Sequence, residues 1–279
     1  MLLAHEITGE GERLIALSHG ILGSGHNLRG LARRLTERLP CVRALTLDLR
    51  NHGSSPGATS GAPPPHTVDA CAGDLEALFG RTGSPEVVIG HSFSVKVALA
   101  WARDAKRPPR QLWLLDAPIG ARDRDDDTEG ARDFEALLAV IAAVPMPIAS
   151  RAALEEQLRA RGLPEAIVRW MTTNLRVEGA GLTWRFDLDG VRAMAASFWR
   201  TDLWPALEAV AARARVFLVR AGRGGRFSAA EQARVAAAAA RGLLEVLEVP
   251  HVGHWLHTED PEALLALLVP RIAALAAPS

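Results

Sequence analysis

Two apolar patterns alternate along the chain. Short runs of leucine and β-branched residues read as buried strands over 2–7, 13–18, 42–47, 86–89, 111–115, 215–220 and 243–249. Between them, apolar residues return every three or four positions, the mark of amphipathic helices. The spacing predicts helices over 28–39, behind Asn27 as cap and stopped by Pro40, and from Thr67 through Phe79. Others fall over 95–102, 228–240 and 261–275, the last with Asp260 as cap and Pro261 in its first turn. Such alternation predicts an α/β fold: a mostly parallel sheet covered on both faces, with sites at the C-terminal ends of strands.

The alternation breaks after 111–115. Helical stretches over 129–144, 150–161, 164–175 and 188–199 follow one another, and no strand is expected before Ala214. Pro145 and Pro147 separate the first two. This block holds Trp170, Trp184, Phe186, Phe198 and Trp199. An aromatic-rich helical insertion is expected to lie as a cap over an apolar pocket, most of its aromatics gluing it to the core. The division expected is a core of 1–118 and 206–279 and a helical cap of 119–205. No internal repeat and no separating linker is evident. The Gly/Pro/Ser-rich stretch 56–65 should be irregular, and the charge run 122–127 a solvated loop rather than a metal site.

Composition narrows the functional classes. At 279 residues and 48% hydrophobic, the chain can bury one large α/β core or two small ones. Lys+Arg and Asp+Glu balance at 32 each, which gives no electrostatic argument for nucleic acid or an anionic membrane surface. No apolar run reaches membrane-spanning length. The first residues show no basic segment followed by an apolar core, so a signal peptide is not expected and a cytoplasmic location is the default. Cys41 and Cys71 lack metal-type spacing, and each is expected to be a buried free thiol.

The candidate chemistry begins where strand 86–89 ends. Gly90-His91-Ser92-Phe93-Ser94 follows the G-x-S-x-G pattern of a nucleophile elbow, with Ser94 in place of the second glycine. A turn that tight needs small residues two before and two after the serine. It exposes the hydroxyl and aims a helix N-terminus at the reacting centre, where negative charge is welcome. A serine hydroxyl is a weak nucleophile near neutral pH and needs a base; imidazole titrates in the right range. The loop after the last strand offers His251, His254 and His257. Two further loops are notable. His19-Gly20-Ile21-Leu22-Gly23 is glycine-rich, for close backbone approach or simply as a strand-to-helix connection. Asp48-Leu49-Arg50-Asn51-His52-Gly53 is dense in hydrogen-bonding groups, and its expected role is to fix loops beside the pocket rather than to use His52 in catalysis.

With these motifs in this order the chain resembles the α/β-hydrolases over nearly its full length. It is most similar to small serine esterases carrying H-G-x-x-G, D-x-R-N-H-G, G-H-S and G-H-W, here His19–Gly23, Asp48–Gly53, Gly90-His91-Ser92 and Gly253-His254-Trp255. The resemblance implies a Ser–acid–His triad, a helical cap and ester or thioester substrates. It makes Ser92 the nucleophile and His254 the base, and leaves His251 and His257 as polar loop residues. Many members carry the acid after the next-to-last strand. Here that loop, 220–226, has no carboxylate, and the aligned position is Gly225. Other members carry it one strand after the nucleophile, where Asp116 lies 24 residues beyond Ser92. Asp116 either completes the triad, the favoured role, or only caps the turn with Ala117-Pro118. The resemblance supplies an oxyanion hole from the amides of Phe93 and Ile21, Leu22 being the lesser candidate for the second donor.

The expected function is therefore a serine hydrolase that cleaves carboxylic esters through an acyl-enzyme, on small-molecule substrates and with no metal or organic cofactor. A thioesterase, an acyltransferase or a lyase would use the same residues. Ser94 and Gly225 leave room for a non-catalytic binding protein on this fold. Nothing in the sequence sets the oligomeric state.

Overall fold

The computed structural model describes residues 2–55, 65–122 and 128–276. Its strands in chain order are β1 (His5–Thr8), β2 (Arg13–Ser18), β3 (Val42–Leu47), β4 (Val87–His91), β5 (Gln111–Leu115), β6 (Leu175–Glu178), β7 (Gly181–Trp184), β8 (Arg215–Ala221) and β9 (Glu245–Val249). Its helices are α1 (Arg29–Arg38), α2 (Val68–Thr82), α3 (Phe93–Asp104), α4 (Glu129–Ala142), α5 (Arg151–Ala160), α6 (Glu165–Thr172), α7 (Leu188–Arg200), α8 (Trp204–Ala211), α9 (Ala229–Ala240), α10 (Leu256–Glu259) and α11 (Pro261–Ala273). The expected irregular stretch falls largely on 56–64 and the charge run on 123–127, both outside the described residues.

Seven strands form one sheet in the order β1-β3-β2-β4-β5-β8-β9. Only β1 runs antiparallel to its neighbour; the other pairs are parallel. From β2 the chain steps outward to β3, then returns to lay β4 on β2's other side. Strand order reverses between β2 and β4, so a crevice opens at their C-terminal ends. The uninterrupted apolar runs have a simple cause. Leu14, Ala16, Val88, Leu112 and Leu114 face one apolar layer with α2, α3, α8 and α9. Ile15, Leu17, Val87, Ile89, Trp113 and Leu115 face the other, with α1 and α11. A strand buried on both sides has no polar positions to alternate.

Much of the segment between β5 and β8 packs in a third apolar cluster, including Leu137, Ile141, Leu158, Met171, Trp184 and Phe186, which Leu22 of the loop after β2 joins. The segment also contains strands where none was expected. β6 and β7 form an antiparallel hairpin across a two-residue turn at Gly179 (φ +57°), and Leu182 exchanges two 2.8 Å bonds with Ile148. The strands have four residues each and Val177 points into solvent, so their apolar spacing carries no strand signal.

Two smaller readings are corrected. Asn27 caps no α-helix: it lies in a 3₁₀ turn, Gly25–Leu28, where its Oδ1 accepts the Ser24 amide at 2.8 Å. Both cysteines are free, but only Cys71 is buried; Cys41, in the connection from α1 to β3, is exposed. Among the described residues no helix is long and apolar enough to cross a membrane.

Candidate active site

Ser92 follows β4 with φ 56° and ψ −118°, a left-handed conformation rare for a residue with a side chain. The turn is held from both sides. The Ser92 amide donates to the Leu115 carbonyl, and its carbonyl accepts from the Val95 amide, each at 2.9 Å. Gly90 must lack a side chain, since a Cβ there would sit 2.3 Å from the Ser94 carbonyl oxygen. A Cβ on Gly20 would come within 2.9 Å of the Ser92 Cβ, so the His19–Gly23 backbone lies directly against the nucleophile candidate. Ser94, the departure from the glycine pattern, is fully buried. Its hydroxyl donates to the His19 carbonyl (2.6 Å) and accepts from the Ser18 hydroxyl (2.7 Å), tying α3 to the end of β2.

The loop after β9 brings His254 to this point. Its Nε2 lies 2.9 Å from Ser92 Oγ and its Nδ1 lies 2.8 Å from Asp116 Oδ2. The His91 ring fixes that loop by donating Nε2–H to the His254 carbonyl (2.8 Å), and the Gly253 amide donates to Glu259 (2.7 Å). Asp116 is fully buried at the end of β5, and its other oxygen accepts the Ala221 amide at 3.0 Å. The carboxylate thus faces β8 and His254, not the turn of Ala117 and Pro118. A Cβ on Gly224 would meet both Asp116 oxygens at 3.1 Å, whereas one on Gly225 would meet Glu129. The position facing the acid is Gly224, one residue before the aligned Gly225.

Burial holds the His254 imidazole well below its usual pKa, helped by the Arg226 and His257 charges. Burial also raises Asp116 to about 6, against the pull of the Ala221 amide, Arg226 and Arg220. At neutral pH the ring is neutral. Nδ1–H points to the carboxylate and the Nε2 lone pair to the Ser92 hydroxyl, the form a general base needs. The Phe93 amide, in the first turn of α3, and the Ile21 amide donate to no acceptor among the described residues. The Leu22 amide is already used, donating to His52 Nε2 at 2.9 Å.

The Asp48–Gly53 loop works as scaffolding. Asp48 accepts the amides of Gly25 and Ser54, Arg50 pairs with Asp74 at 2.6 Å, and Asn51 exchanges two 2.8 Å bonds with the backbone of Asp187. His52 is buried and pushed down to about 3 by desolvation and the neighbouring His19. Its Nδ1–H donates to the Arg50 carbonyl.

His251 is exposed and pairs with Asp260 at 2.6 Å. His257, expected in a polar loop, is instead buried in α10, edge-on to His91 with ring centroids 4.7 Å apart. Ser92 opens into a solvent-open cleft lined also by Ile21, Phe93, Phe134, Phe198, Trp199 and Arg226. Phe134 and Arg226 were not singled out from sequence. Nor was Lys96, one helical turn beyond Ser92, whose ammonium is fully buried and donates to the carbonyls of Gly120 (2.6 Å), Phe198 (2.6 Å) and Thr201 (2.8 Å). A lysine at an inward position of an apolar helix was the available signal. Among the described residues no cluster of three or more His, Cys, Asp or Glu could hold a metal ion.

Known proteins share this architecture. The chain is 31% identical over 182 residues to the sn-1-specific diacylglycerol lipase ABHD11 of Mus musculus, a match covering 63% of this chain and 55% of that protein. It is 37% identical over 113 residues to lipase LipV of Mycobacterium tuberculosis, covering 38% and 39%. The chain thus spans about half the length of the first of these curated relatives, or less. Among solved structures, a marine microorganism esterase superposes with a TM-score of 0.81 at 18% identity, covering 96% of this chain and 98% of its own. A hypothetical protein of Pseudomonas aeruginosa superposes with a TM-score of 0.68 at 25% identity, covering 98% and 95%. The model of the alpha/beta hydrolase family matches residues 15–267, from β2 into the last helix. A match of that extent takes in the sheet from β2 onward and the segment inserted in it, and the chain belongs to the alpha/beta hydrolase family.

Proposed function

We propose that the chain is a carboxylesterase-type serine hydrolase. The observation that carries this is the unbroken line of hydrogen bonds from Ser92 through His254 to Asp116, at the floor of an apolar cleft. Ser92 Oγ attacks the ester carbonyl while His254 Nε2 takes its proton. Asp116 holds the Nδ1–H tautomer and stabilises the imidazolium. The amides of Ile21 and Phe93 receive the oxyanion; such preorganised donors are each worth about 3 kcal/mol of barrier. Collapse expels the alcohol, which takes the proton from Nε2. Water then enters, gives a proton to the same nitrogen and attacks the acyl-enzyme; collapse breaks the bond to Ser92 Oγ, which takes that proton back from Nε2 as the acid leaves.

Segment 119–205 acts as a cap on a core of 1–118 and 206–279. The apolar cluster that holds much of it supports this, as does a cleft with walls from both parts. Relatives named as lipases and an esterase favour ester substrates, and the apolar lining of the cleft suits short or medium acyl chains. The two features behind a non-catalytic reading have other physical accounts. Ser94 supplies a hydrogen bond between α3 and β2, and the acid that Gly225 does not supply comes from β5. A fluorophosphonate probe should label the wild type and leave Ser92→Ala unlabelled. Folded wild-type protein that resists the probe would overturn the assignment.

A further inference from the structure

Among the described residues, one cation enters the largely apolar cleft beside Ser92. Arg226 lines it together with Phe134, Phe198 and Trp199, and also lines a second cleft. Pro118, Thr128 and Trp199 border both, so Arg226 stands in the partition between them. The local sequence makes this placement possible. Gly130 has no Cβ; one there would come 2.6 Å from Arg226 Cδ, so the side chain can lie across the start of α4.

The protein uses little of the guanidinium. Nη1 donates to the Gly130 carbonyl at 3.1 Å, while Nε is buried with no acceptor among the described residues. Asp116, Glu129 and Asp133 favour its charge at a distance, but none forms an ion pair with it among the described residues. The Asp116 oxygens are engaged by His254 and the Ala221 amide. The other Nη donors have no acceptor among the described residues and lie in a side chain at the cleft wall, and a pair of such N–H groups matches a carboxylate.

We infer that Arg226 is a specificity-determining residue that binds a carboxylate carried by the ester, so that the favoured substrates are anionic esters. This rests on the esterase reading and deepens it. The carboxylate can belong to the acyl part, as in a monoester of a dicarboxylic acid, or to the alcohol part, as in an ester of a hydroxy acid. The chemistry of recognition is the same. Arg226 also presses on the His254 imidazole, so a bound carboxylate screens that charge and leaves the base stronger in the complex.

The experiment compares each acid with its uncharged amide. The acyl pair is mono-4-nitrophenyl adipate and 4-nitrophenyl adipamate. The alcohol pair is the butyryl ester of 3-hydroxybenzoate and that of 3-hydroxybenzamide. Wild type should favour the acid by about tenfold or more in kcat/KM within at least one pair, which identifies the side that carries the charge. Arg226→Gln should bring that ratio to about one, and Arg226→Lys should recover part of it. Because the ratio is taken within each variant, a loss of folded protein does not mimic the effect. Equal rates for acid and amide in both pairs, or a preference that survives in Arg226→Gln, overturn the inference and leave the esterase reading standing. Calorimetric binding of free adipate to Ser92→Ala, lost in Ser92→Ala/Arg226→Gln, would support the anion site even if the wild type cleaved no ester. In that case the hydrolase reading alone would fall.

Discussion

Asp116 is held as a carboxylate where almost no water reaches it, and this makes its effect on stability separable from the catalytic part proposed for it. Its folded pKa of about 6 lies above the ordinary 3.8. The native state therefore binds this proton more tightly than the unfolded chain. The contribution to stability is complete below about pH 4 and is lost as pH rises through about 6. Asp116→Asn removes that dependence. In thermal melts its midpoint relative to wild type should be more favourable near pH 7.5 than near pH 4, and the opposite order would contradict the burial argument. Its activity should still fall. An amide that accepts from the Ala221 amide turns its NH₂ toward His254 Nδ1, which favours the wrong tautomer, so kcat/KM for 4-nitrophenyl butyrate should drop by about 10³–10⁴-fold. An unchanged rate would remove Asp116 from the mechanism. The acid limb of kcat/KM belongs to the coupled His254–Asp116 pair. Burial, Arg226 and His257 all depress the imidazole, so this limb should lie below pH 6.5 for a neutral ester. Arg226→Gln deletes a cation that disfavours the imidazolium and should move the limb upward; a downward shift would contradict the assigned field.

At the level of elements, α3 does more than present Ser92. Lys96, one turn along, holds Gly120, where the chain leaves the core after β5, and Phe198 and Thr201, at the end of α7. Its ammonium also lies 4.2 Å from the Phe198 ring centroid. Lys96→Met keeps the length and leaves three carbonyls without their donor. The expected cost is about 2–5 kcal/mol in urea unfolding, with faster amide exchange over 119–122 and 198–203. A cost within about 0.5 kcal/mol would mean that water replaces the ammonium without penalty. The sequence shows why this latch was hard to foresee. Helix periodicity marks Val95, Ala98, Leu99 and Ala102 as inward and is silent on what a lysine among them touches. The sheet strands were legible because burial on both faces leaves long apolar runs such as Val87–Ile89. The hairpin of β6 and β7 was not, because Val177 is exposed and each strand is four residues long. Ser92, Asp116 and His254 stood out as candidates because each lies within a recognisable motif or directly after a strand. Arg226 and His257 did not, since their significance lies in which side chains they meet across the fold.

On the scale of the whole molecule, α7 is tied to the core at both ends. Asn51 exchanges two bonds with the backbone of Asp187, the N-cap residue, while Lys96 holds the carbonyls of Phe198 and Thr201 at the far end. Ser197 adds a third tie by accepting the Val68 amide at 3.0 Å. The helix carries Ala195, Phe198 and Trp199 into the cleft, so the clamps also set the cleft's width. The helix has 13 residues, which places its ends about 20 Å apart, beyond the range at which independent substitutions interact. Asn51→Ala and Lys96→Met should therefore add if each loosens only its own end. Most of the apolar residues of α4 to α6 and the β6–β7 hairpin, however, pack in one cluster with Val191 of α7, and that favours release of the inserted segment as one unit. Once one clamp is lost and the segment undocks before global unfolding, the second clamp has little left to contribute. The double variant should then cost at least about 1 kcal/mol less in urea unfolding than the sum of the singles. Agreement with the sum to within about 0.5 kcal/mol would instead mean that the segment stays docked until the sheet itself unfolds, and that the cleft does not open by release of α7.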